Sequence, residues 1–161
     1  MTLPELNEDF RDLLEAFVQE EVDFAIVGAH ALAVHGVPRA TGDLDVLVRA
    51  DDANAVRVLR ALSAFGAPVE QHGLTADDFA REGNVYQMGQ PPRRIDVLTS
   101  IDGVDYASIT QGHVRARVGA IEVPVIGLQE LRRNKRAARR PKDLLDLALL
   151  AEAGLGDDED G

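Results

Sequence analysis

The sequence predicts an α/β (α+β) domain, a small mixed β-sheet flanked by helices. Three observations carry this. Phe10, Leu13, Leu14, Phe17 and Val18 recur at helical spacing. Short apolar or alternating runs, Phe24–Val27 and Asp43–Val48, have the length and branching of strands. Helical and strand-like segments then alternate before the chain closes on two helices, the order of an α/β or α+β layer structure. The 161 residues suit one domain, assigned to residues 1–155, followed by a disordered acidic tail at 156–161.

In chain order, Glu5, Glu8 and Asp9 place acids at the start of the first helix, where they complement its dipole. Phe24-Ala25-Ile26-Val27 is a buried strand bounded by Asp23 and Gly28. Alanine-rich Ala29–His35 forms a short helix before Gly36. Residues 37–42 form a loop by their Pro and Gly content. Asp43–Val48 is the second strand, and Asp51-Asp52 caps a helix carrying Ala55, Val56, Leu59 and Leu62. Residues 66–83 are mixed, with a short helical turn near Asp77–Phe79. Val85–Met88 and Arg94–Leu98 are strands joined by the loop Gly89-Gln90-Pro91-Pro92. Val114–Val118 and Ile121–Ile126 form another pair through Gly119-Ala120. Leu128–Ala138 is a basic helix, and Pro141–Glu152 begins with proline at a favourable first position.

Composition narrows the function. Hydrophobic residues make up 45% and charged residues 28%, which excludes disorder of the whole chain. With no cysteine, disulfides, thiolate metal sites and a cysteine nucleophile are excluded. No apolar run approaches the roughly 20 residues of a membrane span. Met1–Glu5 lacks the basic and apolar regions of a signal peptide, so a cytoplasmic location is expected. The net charge of −11 argues against broad coating of nucleic acid. That total is uneven. The acid-free segment Arg132–Lys142 carries +7, so the remainder carries −18.

The chemistry-bearing pattern is Asp43-Leu44-Asp45. Alternation along a strand puts Asp43, Asp45 and Leu47 on one face, and Leu44, Val46 and Val48 on the other. The two carboxylates then lie about 7 Å apart, at ~3.4 Å per residue. Such a pair repels itself unless a cation intervenes, and hard divalent cations favour oxygen ligands. Asp96, between Ile95 and Val97, has the same setting, so pairing of its strand beside Asp43–Val48 brings three carboxylates together. Two metals on such a base stabilise the attacking and leaving oxygens of a phosphoryl displacement. Upstream, Gly28-Ala29 at a strand-to-helix junction allows close backbone approach and offers N–H groups to a phosphate. His30 and His35, in the alanine-rich helix, read as packing residues rather than metal ligands. With no Trp and 4% aromatics, no base-stacking platform is evident.

Gly28-Ala29, then Asp43-Leu44-Asp45-Val46, then Asp96 on a later strand resembles the DNA polymerase β-like nucleotidyltransferase superfamily. More narrowly, Val27–Ala33 with Gly36, Arg39, Thr41, Asp43 and Asp45 is similar to minimal bacterial nucleotidyltransferases related to the AbiEii toxin. Lys135 and Arg140–Leu147 resemble the closing helices of that group. The resemblance runs from about Phe10 to Leu150. Other Asp-x-Asp enzymes fit less well. In haloacid-dehalogenase-like phosphatases the pair follows the strand, whereas here it begins one, and glycosyltransferase folds need a longer chain.

The resemblance implies transfer of a nucleoside monophosphate from an NTP, ATP or CTP, to a hydroxyl, with release of pyrophosphate. It implies Mg²⁺, with Mn²⁺ as an alternative, held by Asp43, Asp45 and Asp96, and Asp96 helping to activate the acceptor. Gly28 and Ala29 would admit the triphosphate. Ala29, where the family has Gly or Ser, leaves any contact there to the backbone. Arg39, Thr41, Lys135, Arg140 and Lys142 would complete nucleotide binding, with Arg39 as a charge-assisted donor. The acceptor is open among a protein, an RNA such as a tRNA end, and a small molecule. The alternative expectation is a nucleotidyltransferase-fold binding module with little catalysis, one half of a toxin–antitoxin pair with an antitoxin partner.

Overall fold

In the computed structural model, which describes residues 2–3, 6–38 and 42–156, the predicted strands pair into a six-stranded mixed sheet. The strands are β1 (Phe24–Val27), β2 (Leu44–Val48), β3 (Val85–Met88), β4 (Ile95–Leu98), β5 (Val114–Val118) and β6 (Ile121–Val125). Their spatial order is β3-β4-β2-β1-β6-β5. β1 runs antiparallel to β2 and parallel to β6, and β2 runs parallel to β4. The outer strands β3 and β5 pair antiparallel with β4 and β6. The predicted fold class is therefore the observed one.

The helices are α1 (Glu8–Gln19), α2 (Gly28–Val34), α3 (Asp52–Phe65), α4 (Asp77–Ala80), α5 (Tyr106–Gly112), α6 (Leu128–Ala138) and α7 (Pro141–Glu152). The apolar stripe read in α1 is buried at Phe10, Leu13, Leu14 and Phe17. Phe17 meets Phe24 of β1 edge-to-face, with ring centroids 5.3 Å apart. Phe24 pairs with Val48, so α1 covers the face that also carries Leu44 and Val46. Each of these large side chains contributes about 1.5–3 kcal/mol by leaving water. On the outer strand β5, exposed Arg115 and Arg117 alternate with buried Ala116 and Val118, and the edge is partly covered where Thr2 bridges Arg117 and Leu3 N–H donates to the Arg117 carbonyl oxygen at 3.1 Å.

At the end of the sheet where β1 starts and β2 finishes, Asn54 of α3 is fully buried. Its Nδ2 donates to the carbonyls of Asp23 (3.0 Å) and Arg49 (2.8 Å), and its Oδ1 accepts from Asp23 N–H (2.8 Å). All of the amide's main hydrogen-bonding capacity is met, so β1, β2 and α3 are tied at one point.

Several boundaries differ from the sequence reading, among them α2, which runs Gly28–Val34 rather than Ala29–His35. β2 begins at Leu44 and β4 at Ile95, so Asp43 and Arg94 lie just outside the strands. The ladder starts where Leu44 N–H donates to Arg94 carbonyl oxygen, 2.9 Å. β6 ends at Val125 rather than Ile126. The helix α5 is absent from the sequence reading. It buries only Ile109, so no apolar stripe marks it, and it is set by the Asp105 cap, whose side chain accepts from Ser108 N–H at 2.9 Å. No described helix is long and apolar enough to cross a membrane. The acidic tail lies outside the described residues from 157 onward.

α6 and α7 meet at a corner where Arg139 takes the left-handed conformation, φ 54°. A non-glycine residue there costs roughly 1–2 kcal/mol, partly offset by the freedom glycine adds to the unfolded chain. Arg139→Gly is therefore expected to stabilise the protein by about 0.5–1 kcal/mol in urea or thermal melts. An unchanged or lower midpoint would show that the Arg139 side chain contributes contacts worth the strain.

Candidate functional site

The site is built by strand register. Leu44, Val46 and Val48 anchor one face of β2 in the core, which turns Asp45 to the other. Parallel pairing sets Asp45 directly beside Asp96 of β4, and antiparallel pairing sets it beside Val27 at the end of β1. Gln87 of β3 lies opposite Asp96 on the far side and is exposed. Asp43, one residue before β2, is held by Arg94. The Arg94 N–H donates to Asp43 Oδ1 at 3.2 Å, and its Nη2 lies 3.3 Å from Oδ2. Asp43, Asp45 and Asp96 thus line one cleft of about 420 Å³.

The Asp45 carboxyl is pushed up to about 6. Burial is the largest cause, followed by the neighbouring charge of Asp96, against a smaller lowering by Lys142. The Asp45 and Asp96 carboxyls are in hydrogen-bond contact. Two ionised carboxylates cannot donate to each other, so the arrangement calls for a shared proton or a cation.

Gly28 is required here on two grounds. Its φ of 72° suits glycine, and a Cβ added to it would collide with the Asp45 carboxylate. The close backbone approach read in the sequence is thus, in this structure, an approach to Asp45. Gly28 and Ala29 both line the cleft.

The basic residues divide. Arg140 and Lys142, exposed at the start of α7, line the cleft. Lys135 also borders it, but its side chain is 3% exposed and its ammonium is bound 3.3 Å from Asp143 Oδ1 and 2.9 Å from Asp146 Oδ2, both carboxylates being fully buried. Arg140 adds its Nε to Asp143 Oδ2 at 2.7 Å. Burial pushes the Asp143 carboxyl up, and the hydrogen bonds from Arg140 with the Lys135 charge outweigh it, holding it below the usual range. Lys135 therefore joins α6 to α7, and Arg140 is shared between that joint and the cleft. Arg39 and Thr41 lie outside the described residues.

The histidines pack as read. His30 meets Phe10 edge-to-face at 5.7 Å, and burial lowers its pKa against the opposing influence of Gly42 and Asp43. His35 Nε2 donates to Ile126 carbonyl oxygen at 2.7 Å. Sequence reading missed Arg94, which also reaches Asp96 (Nε–Oδ1 3.0 Å). The available signal was its spacing, since residues two apart in extended chain share a face. Ser100, Asp102 and Asn134 at the cleft wall carried no motif.

The six-stranded mixed sheet with its flanking helices is a fold seen before. Two solved structures share this fold. One, from Thermotoga maritima and named as a candidate nucleotidyltransferase, aligns with a TM-score of 0.55 at 14% identity over 89% of each chain. The other, an antigenic nucleotidyltransferase-like protein from Paracoccidioides brasiliensis, aligns with a TM-score of 0.50 at 16% identity, covering 93% of this chain and 79% of its own. No family model matches the chain, and no curated protein is similar to it.

Two outcomes follow. Because folding raises the Asp45 pKa from 3.8 to about 6, the stabilising preference for its protonated form is complete below pH ~4 and lost as pH rises through 6. In chelator, Asp45→Asn should gain on the wild type across that window, by up to about 3 kcal/mol near pH 7. A pH-independent difference in melting would refute this. Separately, Lys135→Ala removes the buried ammonium that Asp143 and Asp146 share and should cost about 3–5 kcal/mol in chemical denaturation. A loss under 1 kcal/mol would show that α7 is held mainly by other contacts.

Proposed function

We propose that the protein is a divalent-cation-dependent nucleotidyltransferase that moves a nucleoside monophosphate from an NTP to an acceptor hydroxyl. The observation that carries the reading is the side-by-side placement of Asp45 and Asp96 across β2 and β4, with Asp43 one residue before β2. The donor chemistry suits a hard cation, although among the described residues no three acids or histidines are grouped as a finished coordination shell. All three side chains offer carboxylate oxygens, and the Asp45–Asp96 contact is relieved by positive charge.

Asp43, Asp45 and Asp96 would hold the metal. Mg²⁺, or Mn²⁺ in its place, supplies neutralisation of the phosphates and of the oxygens that gain charge. Gly28 keeps the wall beside Asp45 free of side-chain atoms, and Ala29 continues it. Arg140 and Lys142 face the cleft as the cations for the triphosphate, with Arg39 and Thr41 assigned there from the sequence. Lys135 acts from behind, fixing the α7 start that carries Arg140 and Lys142. The acceptor oxygen bonds to the α-phosphorus as the bond to the bridging oxygen breaks. The bonding pair leaves with pyrophosphate, and Asp96 receives the hydroxyl proton. Catalysis of this kind is positioning and charge stabilisation.

ATP and CTP are the proposed donors. A protein, an RNA or a small molecule is the acceptor class. The second reading is a binding module of the same fold, a toxin–antitoxin component. It is favoured by the clamping of Asp43 and Asp96 by Arg94, which satisfies these carboxylates without a metal. Transfer from α-labelled NTPs into cellular protein and RNA separates the two. Asp43→Asn, Asp45→Asn and chelator should each lower labelling by about 10²-fold or more, the scale of losing a charge-stabilising or proton-transferring group. Equal labelling by wild type and both variants would overturn the enzyme reading. Absent labelling, with NTP affinity indifferent to Mg²⁺ in calorimetry, would favour the module.

A further inference from the structure

Arg94 has no part in the transfer described above, yet it makes more contacts with the carboxylate row than any residue named there. Its guanidinium bridges Asp43 (Nη2–Oδ2 3.3 Å) and Asp96 (Nε–Oδ1 3.0 Å, Nη2–Oδ2 3.5 Å). Among the described residues, no three acids or histidines stand together as a ready coordination shell. Two of the three carboxylates assigned to the metal are already engaged by an arginine.

We propose that Arg94 is an internal counter-cation that competes with the divalent metal for Asp43 and Asp96, and so couples metal binding to nucleotide binding. This rests on the reading of Asp43, Asp45 and Asp96 as metal ligands. Guanidinium donors are directional and permanently charged, so Arg94 both occupies lone pairs of Asp43 and Asp96 and opposes the approach of a second cation by its own charge. Once released, the guanidinium needs another anion, and the nucleotide triphosphate would bring one to the same cleft. Metal alone must displace Arg94 without compensation; metal arriving with nucleotide need not.

The exposure pattern supports a movable arginine over a fixed strut. The Arg94 side chain is 32% exposed and borders the cleft. Lys135, which borders the same cleft, is only 3% exposed and is held by two fully buried carboxylates, so it has no such freedom. Arg94 enters the ladder through its carbonyl oxygen, which accepts from Leu44 N–H, so its side chain can turn without breaking that bond.

The probe is Mn²⁺ alone, titrated by electron paramagnetic resonance or calorimetry against the full chain. Wild type, Arg94→Gln, Arg94→Lys and Asp45→Asn are compared, with thermal melts confirming that each is folded. Arg94→Gln should bind Mn²⁺ about tenfold more tightly than wild type without nucleotide, within the usual range of coupling between sites. Arg94→Lys should fall between them. An α,β-methylene NTP should tighten Mn²⁺ binding in wild type and do so less in Arg94→Gln. Equal or weaker Mn²⁺ binding by Arg94→Gln, while Asp45→Asn abolishes it, would overturn the proposal and leave the metal reading intact. If Asp45→Asn binds Mn²⁺ as well as wild type, the metal reading fails and the Arg94 proposal fails with it.

Discussion

Asp45 and Asp96 are placed side by side by the parallel register of β2 and β4, on a row that Val27 and Gln87 extend to either side. Like charges at that separation repel, and burial on the β2 side raises the cost. The surroundings follow from this constraint. Gly28 gives up a side chain so that the Asp45 carboxylate has room. Lys142 supplies a field that partly opposes the repulsion, and Arg94 closes on Asp43 and Asp96. The row stays in place because the opposite face of β2 is fully apolar and locked under α1 by Phe17 and Phe24.

The far end of the sheet is handled differently. There the polar demand is met by one neutral amide, Asn54, which satisfies three backbone groups and adds no charge. One end of β1 and β2 is thus held by a neutral amide, while the other gathers three carboxylates together with the cations Arg94, Arg140 and Lys142 around one cleft. The same two strands thereby carry a rigid support at one end and closely opposed charges at the other.

The sheet was legible because its strands are short, apolar and bounded by Gly, Pro and Asp. Leu44, Val46 and Val48 announce a buried face by alternation alone. Asp45 and Asp96 were legible for the same reason, since a lone acid between branched apolar residues must point away from their core. Other features depend on partners remote in sequence. α5 has one buried residue, Ile109, and a cap, which leaves no periodic signal. Lys135, in a run of seven basic residues, looks like a surface cation; only the fold of α7 back onto α6 reveals that Asp143 and Asp146 enclose it. Arg94 was readable in spacing but not in role, because Asp43 is 51 positions away.

The enclosed Lys135–Asp143–Asp146 cluster bears on how the chain can vary over time. Replacing Lys135 alone takes away the ammonium that Asp143 and Asp146 share, whereas an apolar set of similar volume exchanged together can be neutral or better. The three positions are therefore expected to change together rather than one at a time. Leu144 and Leu145, exposed on the same helix, take no part in this cluster. The α6–α7 corner should accordingly keep its geometry across lineages even where the helix surface around it has been rewritten.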